Sequence, residues 1–346
     1  VQWSASRLTG LDDAVVGELH ALGSLVVAVV EDLRATSTDG VGAEARRARA
    51  LGPGIHLAND VARLGAARDD ELVFLSRRDR DVTIELSLIE VAGRLRAELW
   101  SQVTAVLSSA TIPEALPRAL GLDDVTVERV PSPFDYHAHA LLYVPEGFPD
   151  RRDDAAEDAI VDELARLIDA AGGRTLALFT NRRVMAGVAE RVAERVATPV
   201  LVQGEGSRQR LIARFRDDAA ASLFAVASFW QGVDVPGHSL SLVVIDRLPF
   251  ATPADPLAQA RRERAANPFY EVDLPRAATL LAQGVGRLIR TREDRGVVAV
   301  LDTRLATASY RGALFRQLPP MRRTRDRAQV LEFLADIAEN QASDAV

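Results

Sequence analysis

The stretch R-T-L-A-L-F-T-N-R-R-V-M-A-G-V-A-E-R-V-A-E-R-V (residues 174–196) decides the fold class of this 346-residue chain. Residues 175–180 form an apolar run that predicts a short buried strand, and residues 182–196 follow as a helix-like stretch. Thr180 and Asn181 lie between the two and form a polar turn of the kind that begins a helix. A strand that leads directly into a helix is the repeating unit of a parallel sheet.

The same alternation of strand and helix continues after Pro117. The predicted strands are Ala140–Val144, Thr175–Thr180, Pro199–Gln203, Leu223–Ala227, Leu240–Ile245 and Gly296–Leu301. The predicted helices are Asp154–Ala171, Arg182–Val196, Arg208–Arg216, Leu257–Asn267 and Pro275–Leu288. This order predicts an α/β fold with a parallel sheet and helices on both faces. Ligands of such sheets bind beyond the carboxyl ends of the strands.

Composition removes several kinds of chemistry. The chain has no cysteine, which excludes disulfides, thiolate zinc sites, thiol nucleophiles and an iron–sulfur cluster held within it. All 42 residues counted as Lys+Arg are arginine, so the chain holds neither a Schiff-base lysine nor a P-loop lysine. Codon bias in a GC-rich genome explains most surface arginines, but arginine does not replace the compact ammonium of a P-loop.

Targeting signals are also missing from the sequence. The chain opens V-Q-W-S-A-S-R-L-T-G, without a basic region before an apolar core and without an initiator methionine, which suggests an internal start. Its longest apolar stretch, Leu22–Val30, is too short to span a bilayer. We therefore expect a cytoplasmic protein with no membrane partner.

Charge differs between the two halves of the chain. Residues 1–173 hold 17 arginines and 30 acidic residues, whereas residues 174–346 hold 25 arginines and 19 acidic residues. The second half is therefore basic although the whole chain carries a net charge of −7. A basic half suits a phosphate-bearing partner, with a merely solvated basic face as the alternative.

The first third of the chain has a different pattern. Residues 1–80 show apolar positions at three- and four-residue steps, which predicts helix. Val82–Leu88 alternates as a strand does, and Ile89–Trp100 predicts a short helix. The apolar run Val103–Leu107 then predicts a buried parallel strand that ends in the polar turn Ser108–Thr111.

Four polar clusters follow predicted strands or lie on a late helix. They are Ser108–Thr111, Thr180–Arg183, Ser228–Asp234 and Gln283–Arg290. Taken singly each has an ordinary explanation, because an asparagine before a helix is most often a cap and an aromatic pair is most often core.

Taken together, and in this order, the clusters resemble motifs III, IV, V and VI of superfamily 2 helicases, most closely the DinG branch of the DinG/XPD-type DNA helicases. The resemblance covers about residues 82–320. The resembling segments are V-L-S-S-A-T-I-P (106–113), S-P-F-D-Y (132–136), A-L-F-T-N-R-R-V-M (177–185), S-F-W-Q-G-V-D-V-P-G (228–237), D-R-L-P-F-A-T-P-A-D-P (246–256), Q-G-V-G-R-L-I-R-T (283–291) and D-R-G-V-V-A-V-L-D-T-R (294–304). The pair from motifs V and VI is the most specific.

The resemblance assigns the nucleotide chemistry to motif VI. It implies that Arg287 and Arg290, one turn apart on a predicted helix, act as arginine fingers at the γ-phosphate of ATP. Gln283 would contact the nucleotide or orient these arginines. Gly284 and Gly286 would allow a close approach, since glycine otherwise costs helix stability.

The resemblance assigns residues of the other motifs to nucleotide binding, to DNA binding and to the coupling between the two. Gly232 and Asp234 would join Gly286 at the nucleotide, and Ser109 and Thr111 would couple nucleotide state to the grip on DNA. The implied contacts to single-stranded DNA are Thr180, Asn181, Arg182, Ser228, Phe229, Trp230 and Phe250. Packing in the core is an equal alternative for Phe229, Trp230 and Phe250.

The resemblance also implies an organisation into parts. Residues 1–81 would be a helical segment left from an insertion in a first motor domain, residues 82–112 its closing strands with motif III, and residues 113–346 a second RecA-like domain. The parent would be a monomeric 5′→3′ DNA helicase of repair or replication that uses ATP and Mg²⁺. No metal ligand is assigned to this chain, whose sequence lacks the P-loop and acidic box that hold Mg²⁺. Motif V also departs from the family pattern, with Gln231 where glutamate is common.

Other readings remain open at this point. The chain would alternatively be a stand-alone module that binds nucleic acid or a partner without ATPase activity. A Rossmann-type enzyme would need a G-x-G-x-x-G opening after its first strand, and the sequence has none. His137 and His139 form a possible metal pair on a strand-like stretch, but no third ligand is evident, which favours a structural role.

Overall fold

The computed structural model describes residues 4–7, 13–37, 42–78, 81–109, 111–113, 115–150, 153–226, 240–253 and 255–344. The chain divides into two compact units. The first unit comprises Val1–Ala105, Pro117–Asp123 and Thr252–Pro268, and the second comprises Val106–Leu116, Asp124–Ala251 and Phe269–Val346. No helix among the described residues is both long and apolar enough to cross a membrane.

Strands and helices are numbered here along the chain. The strands are β1 (Ser4–Arg7), β2 (Glu71–Arg78), β3 (Asp81–Leu88), β4 (Ala140–Tyr143), β5 (Thr175–Phe179), β6 (Val200–Val202), β7 (Ser222–Val226), β8 (Leu242–Ile245), β9 (Gly296–Val300) and β10 (Arg322–Thr324). The helices are α1 (Asp13–Ala35), α2 (Ala43–Gly65), α3 (Ala92–Leu95), α4 (Leu116–Ala119), α5 (Tyr136–His139), α6 (Ala156–Ala171), α7 (Arg182–Ala193), α8 (Arg208–Asp217), α9 (Pro256–Arg264), α10 (Leu274–Val285), α11 (Arg304–Thr307), α12 (Arg311–Arg316) and α13 (Arg327–Asp344). Two π-helical turns, Arg96–Trp100 and Phe269–Asp273, continue α3 and precede α10.

The second unit is built on a seven-stranded sheet. Its strand order is β10-β4-β9-β8-β5-β7-β6, and every neighbouring pair is parallel. Successive side chains of a strand point to opposite faces, so Leu176 and Leu178 of β5 join one apolar cluster while Ala177 and Phe179 join the other. The sheet is therefore covered on both faces, as its continuous apolar strands predict.

The predicted alternation of strands and helices is confirmed, and one of its helices, α9, belongs to the first unit. All six predicted strands are present as β4 to β9, and all five predicted helices are present as α6 to α10, with ends that differ by a few residues. The elements that were not predicted are the short helices α5, α11 and α12, the terminal helix α13, and β10, a three-residue strand of polar character at the edge of the sheet.

The first unit differs from its predicted pattern. Helices α1 and α2 confirm the helical periodicity of the early chain, but β1 and β2 lie within the segment expected to be wholly helical. Strand β2 pairs antiparallel with both β1 and β3, so the described residues of this unit form a three-stranded antiparallel sheet. Buried Leu72 and Phe74 of β2 pack with Ile89 and with Ala260 of α9, a long-range contact that local periodicity does not reveal.

The predicted buried strand at Val103–Leu107 is wrong. Residues 103–109 have no regular secondary structure, and Val106 is 93% exposed. A buried parallel strand needs partners beside it, and neither sheet in the described part of the chain pairs with these residues. The strand was predicted only because residues 103–107 form an apolar run.

Candidate nucleotide and nucleic-acid site

Polar side chains at the carboxyl ends of two strands accept hydrogen bonds from the backbone at the ends of the neighbouring strands. Asp246 follows β8 and accepts a hydrogen bond from the backbone N–H of Thr180, after β5, at 2.9 Å. Gln203 follows β6 and accepts from the N–H of Val226 at the end of β7 at 2.8 Å. These bonds hold the backbone at Thr180 and at Val226, at the edge of a parallel sheet where ligands bind.

Asn181 begins helix α7. Its side-chain oxygen accepts hydrogen bonds from the backbone N–H groups of Arg183 at 2.8 Å and Val184 at 3.2 Å. This is the N-cap geometry that favours asparagine before a helix, so the capping role is established and the contact of Asn181 with DNA remains a prediction.

Arg182 is the exposed first residue of α7 and lies over the loop after β6. A Cβ added at Gly204 would be 2.5 Å from Nη2 of Arg182, and Gly204 has a φ of 115°. Glycine is therefore required there both by the backbone and by the guanidinium above it. The loop and the helix start together present an arginine at the carboxyl edge.

The motif VI helix ends earlier than predicted. Helix α10 stops at Val285, and the next residues form tighter turns in which Arg287 N–H donates to the Gly284 carbonyl at 3.2 Å. The prediction that Arg287 and Arg290 share one face of a continuous helix is therefore wrong. Gly286 has an ordinary right-handed φ of −65°, and the helix ends because Leu288 and Ile289 are buried and turn the following chain into the core.

A buried carboxylate holds the loop that carries Arg290. Asp294 is 7% exposed, and its Oδ2 accepts from the backbone N–H groups of Arg290 at 2.7 Å and Thr291 at 2.8 Å. The hydroxyl of Thr291 donates to Oδ1 of Asp294 at 2.9 Å. Sequence reasoning gave Asp294 no role; a threonine followed three residues later by aspartate was the available signal.

The two motif VI arginines are partly buried and poorly hydrated. Burial lowers the pKa of Arg287, and the nearby guanidinium of Arg208, the first residue of α8, lowers it further. Burial also lowers the pKa of Arg290, while Asp294 opposes that shift. Arginine remains charged under all ordinary conditions, so both side chains carry a positive charge into a partly buried turn. Arg208 is a further cation of the site that sequence reasoning missed.

Phe250 belongs to an aromatic cluster. Its ring is partly buried and lies 5.7 Å from the ring of Phe269 and 5.8 Å from that of Tyr310, centroid to centroid. The guanidinium of Arg304 lies 5.5 Å from the centre of the Phe250 ring. The packing alternative for Phe250 is thus established, and its contact with DNA remains a prediction.

Asp302, at the end of β9, anchors this cluster. Its carboxylate accepts from Nε of Arg304 at 2.9 Å and from Nη2 at 2.7 Å, a bidentate pair. It also accepts from the backbone N–H of Leu248 at 3.0 Å. Burial raises the pKa of Asp302, but the bonds from Arg304 and Leu248 outweigh it, so the pKa lies below its ordinary value.

The other predicted residues have separate outcomes. Ser109 and Thr111 bond to each other in an exposed turn, with the Ser109 hydroxyl donating to the Thr111 carbonyl at 2.9 Å. Gly232, Asp234, Ser228, Phe229 and Trp230 lie outside the described residues, so their roles stay predictions. Gln283 is partly buried on the last turn of α10, one turn before Arg287.

The histidine pair does not lie on a strand. His137 and His139 belong to the short helix α5, which Asp135 caps by accepting from the Ala138 N–H at 3.0 Å. Within the described ranges no group of three or more metal-ligating side chains occurs.

Comparison with known proteins gives one consistent family. Residues 164–321 match the helicase C-terminal domain. The chain is 43% identical over 289 residues to the ATP-dependent helicase DinG of Mycobacterium tuberculosis (strain ATCC 25177 / H37Ra). The aligned region covers 79% of this chain and 44% of that protein. It is also 39% identical over 266 residues to the ATP-dependent DNA helicase YoaA of Escherichia coli (strain K12). This second aligned region covers 74% of this chain and 42% of that protein.

The solved structure of an XPD helicase has the same fold. The two chains superpose with a TM-score of 0.57 at 18% identity, over 85% of this chain and 55% of the other. The chain spans less than half the length of the two curated relatives and just over half of this structure.

Proposed function

Because this chain carries a helicase C-terminal domain and is related to DinG-type helicases, we propose that it is the second RecA-like motor domain of an ATP-dependent DNA helicase. The observation that carries the proposal is the pair Arg287 and Arg290. Both are partly desolvated cations on a turn fixed by buried Leu288, Ile289 and Asp294. This turn lies within the region that matches the helicase domain.

In the proposed reaction, ATP lies between this domain and a P-loop domain. A sequence without lysine supplies no P-loop, so the triphosphate and its Mg²⁺ would be held chiefly by residues that are not in this chain. Arg287 and Arg290 would neutralise the charge that develops on the transferred phosphoryl group, an effect worth about 10³–10⁵ in rate in other nucleotide hydrolases. Asp294 would act as a positioning residue for Arg290.

The DNA track would follow the carboxyl edge of the sheet. Arg182 and the capped start of α7 offer a guanidinium and backbone N–H groups to phosphates. Motif V, including the aromatic residues Phe229 and Trp230, would complete the track by stacking on bases. Movement along single-stranded DNA in the 5′→3′ direction is part of the proposal and rests on resemblance.

The decisive experiment measures DNA-stimulated ATP hydrolysis in two contexts. This chain alone should release phosphate at the background rate, because it lacks the P-loop. Joined in one polypeptide to its P-loop domain, the wild type should turn over, and Arg287→Ala or Arg290→Ala should lower kcat by about 10³-fold or more while DNA binding persists.

Arg276→Ala is the matched control, because Arg276 is an exposed arginine near the other end of α10. Its turnover should equal that of the wild type. Robust Mg²⁺-dependent hydrolysis by this chain alone would contradict the proposed division of labour. Turnover of the joined protein that survives both substitutions would contradict the arginine-finger role.

A further inference from the structure

A second basic surface lies at the same edge of the sheet, beyond β9. It is a cleft of about 810 Å³ at the carboxyl ends of β4 and β10, lined by Leu142, Val144, Glu146, Ala306, Phe315, Arg323, Thr324, Arg325, Asp326 and Arg327. Its floor is apolar, since Leu142 and Val144 are almost fully buried, and its rim is charged. We call it the edge cleft.

The arginines of the edge cleft differ in how firmly they are held. Arg327 forms an ion pair with buried Glu163 at 2.7 Å and therefore contributes to the core. Arg325 pairs with Glu146 at 3.3 Å, but both side chains are largely exposed, so this ion pair contributes little to stability and opens at little cost. Arg323 lies over the ring of Phe315, with its guanidinium carbon 3.8 Å from the ring centre.

Acidic residues of the cleft are already engaged with the protein. Asp326 accepts from the backbone N–H of Ala328 at 2.9 Å, at the start of α13. Its own N–H donates to the hydroxyl of Thr324 at 3.1 Å. Arg323 lies exposed at the mouth on an aromatic plane, and Arg325 becomes available to a mobile anion when it exchanges its exposed ion pair with Glu146.

The edge cleft continues the surface assigned to DNA. Strands β8 and β10 are three positions apart in the sheet, about 14 Å at ordinary strand spacing. Arg304 spans part of this interval, because it lies over Phe250 after β8 and begins α11, whose Ala306 lines the cleft. Cations on one sheet edge at this spacing suit a polymer of phosphates better than a small anion.

We propose that the edge cleft binds the backbone of single-stranded DNA as an extension of the track at α7. Arg323 and Arg325 contact phosphates, and the Arg323–Phe315 pair offers its face to a base. The inference rests on the proposed function, since it takes DNA as the ligand and the carboxyl edge as its path.

The test measures binding of labelled oligothymidylates of about 8 and 20 nucleotides by fluorescence anisotropy across a range of salt concentrations. The double variant Arg323→Gln/Arg325→Gln should weaken binding of the longer strand about tenfold at roughly 0.1 M salt. Each phosphate contact to a single strand contributes about 0.7 to the salt dependence, so the slope of log K against log salt should fall by about 1.4. Binding of the shorter strand, which α7 alone can accommodate, should change little.

Two further variants separate charge from structure. Arg323→Lys/Arg325→Lys keeps the positive charges and should recover most of the lost affinity. Arg191→Gln/Arg195→Gln removes two arginines near the other end of α7, where they pair with Asp158 and Asp162, and should bind as the wild type does. Loss of affinity in this control equal to that in the cleft variant would mean that only net charge matters.

The outcomes for the two proposals are distinguishable. If neither oligonucleotide binds the wild type, the proposed function fails. If Arg182→Gln weakens binding of both strands while Arg323→Gln/Arg325→Gln leaves them unchanged, the track stands and the edge cleft does not. If Arg323→Lys/Arg325→Lys folds normally but does not recover affinity, the proposal that these two positions contact DNA phosphates would also be overturned.

Discussion

At the scale of single residues, buried aspartates hold loops at both edges of the sheet: Asp246 and Asp302 follow β8 and β9 at the carboxyl edge, and Asp294 precedes β9 at the amino edge. Asp246, Asp294 and Asp302 each follow or precede a strand, and each accepts hydrogen bonds from backbone N–H groups of a neighbouring loop. A carboxylate bonded in this way is stabilised in its charged form. The loops that carry Thr180, Leu248 and Arg290 are therefore held by electrostatics as well as by packing.

Asp302 should make the stability of the second unit depend on pH. Its folded pKa lies below the unfolded value of about 3.9, so its contribution is fully present above that value and is lost as pH falls through the folded pKa. Asp302→Asn should lower the urea midpoint at pH 7, and the difference from the wild type should shrink as pH falls below about 4. If the difference in urea midpoint between Asp302→Asn and the wild type stays constant as pH falls, the shape of the Asp302 side chain rather than its charge would determine the stability.

At the scale of elements, sequence patterns predicted the sheet well. Strands β4 to β9 are continuous apolar runs and were found with nearly correct ends, because burial on both faces imposes that composition. The same rule failed for Val103–Leu107, where the composition is present without partner strands. Strand β10 escaped prediction because its residues, Arg322–Thr324, gain strand geometry only from pairing with β4.

The candidate site, too, was predicted from the sequence only in part. The cap at Asn181 follows from its position between a strand and a helix, whereas Arg208 and Asp294 reach the site by tertiary folding and carry only weak local signals. The motif VI helix was predicted to be too long because the local sequence does not reveal that Leu288 and Ile289 are buried by tertiary packing.

The turn between α6 and β5 should be sensitive to a single methyl group. Gly173 has a φ of 83°, and a Cβ there would be 1.7 Å from the carbonyl oxygen of Ala220. Gly147 has a comparable φ of 65° but has no atom within 4 Å of such a Cβ. Gly147→Ala should cost about 1–2 kcal/mol for the left-handed backbone alone, and Gly173→Ala should cost more.

Chemical denaturation of the two glycine variants beside the wild type measures this difference. Equal losses of stability would show that the turn moves to relieve the contact with Ala220. An excess loss in Gly173→Ala would show that the start of β5 is held rigidly against the loop before β7.

At the scale of the whole molecule, the chain contains separate apolar cores. The first unit has a small buried cluster that includes Phe74 and Ile89, whereas the second unit has two large clusters, one on each face of its sheet. Units with their own cores unfold as separate cooperative transitions in many proteins.

We expect two transitions in calorimetry, with the smaller core melting first. Phe74→Ala should lower the first transition and leave the second in place, and Leu178→Ala should lower only the second, by an amount that corresponds to about 2–5 kcal/mol. A single transition displaced by either substitution would indicate one cooperative unit.

The position of β4 in the sheet has a consequence for synthesis of the chain. Strand β4 lies between β9 and β10, so both of its pairing edges are completed by segments made last. About 180 residues separate the end of β4 from the end of β10, which corresponds to roughly 10–40 s of translation. Strand β4 (A-L-L-Y) has neither neighbour until β9 is made and lacks its second neighbour until β10 is made, so we expect a chaperone on the ribosome to shield it.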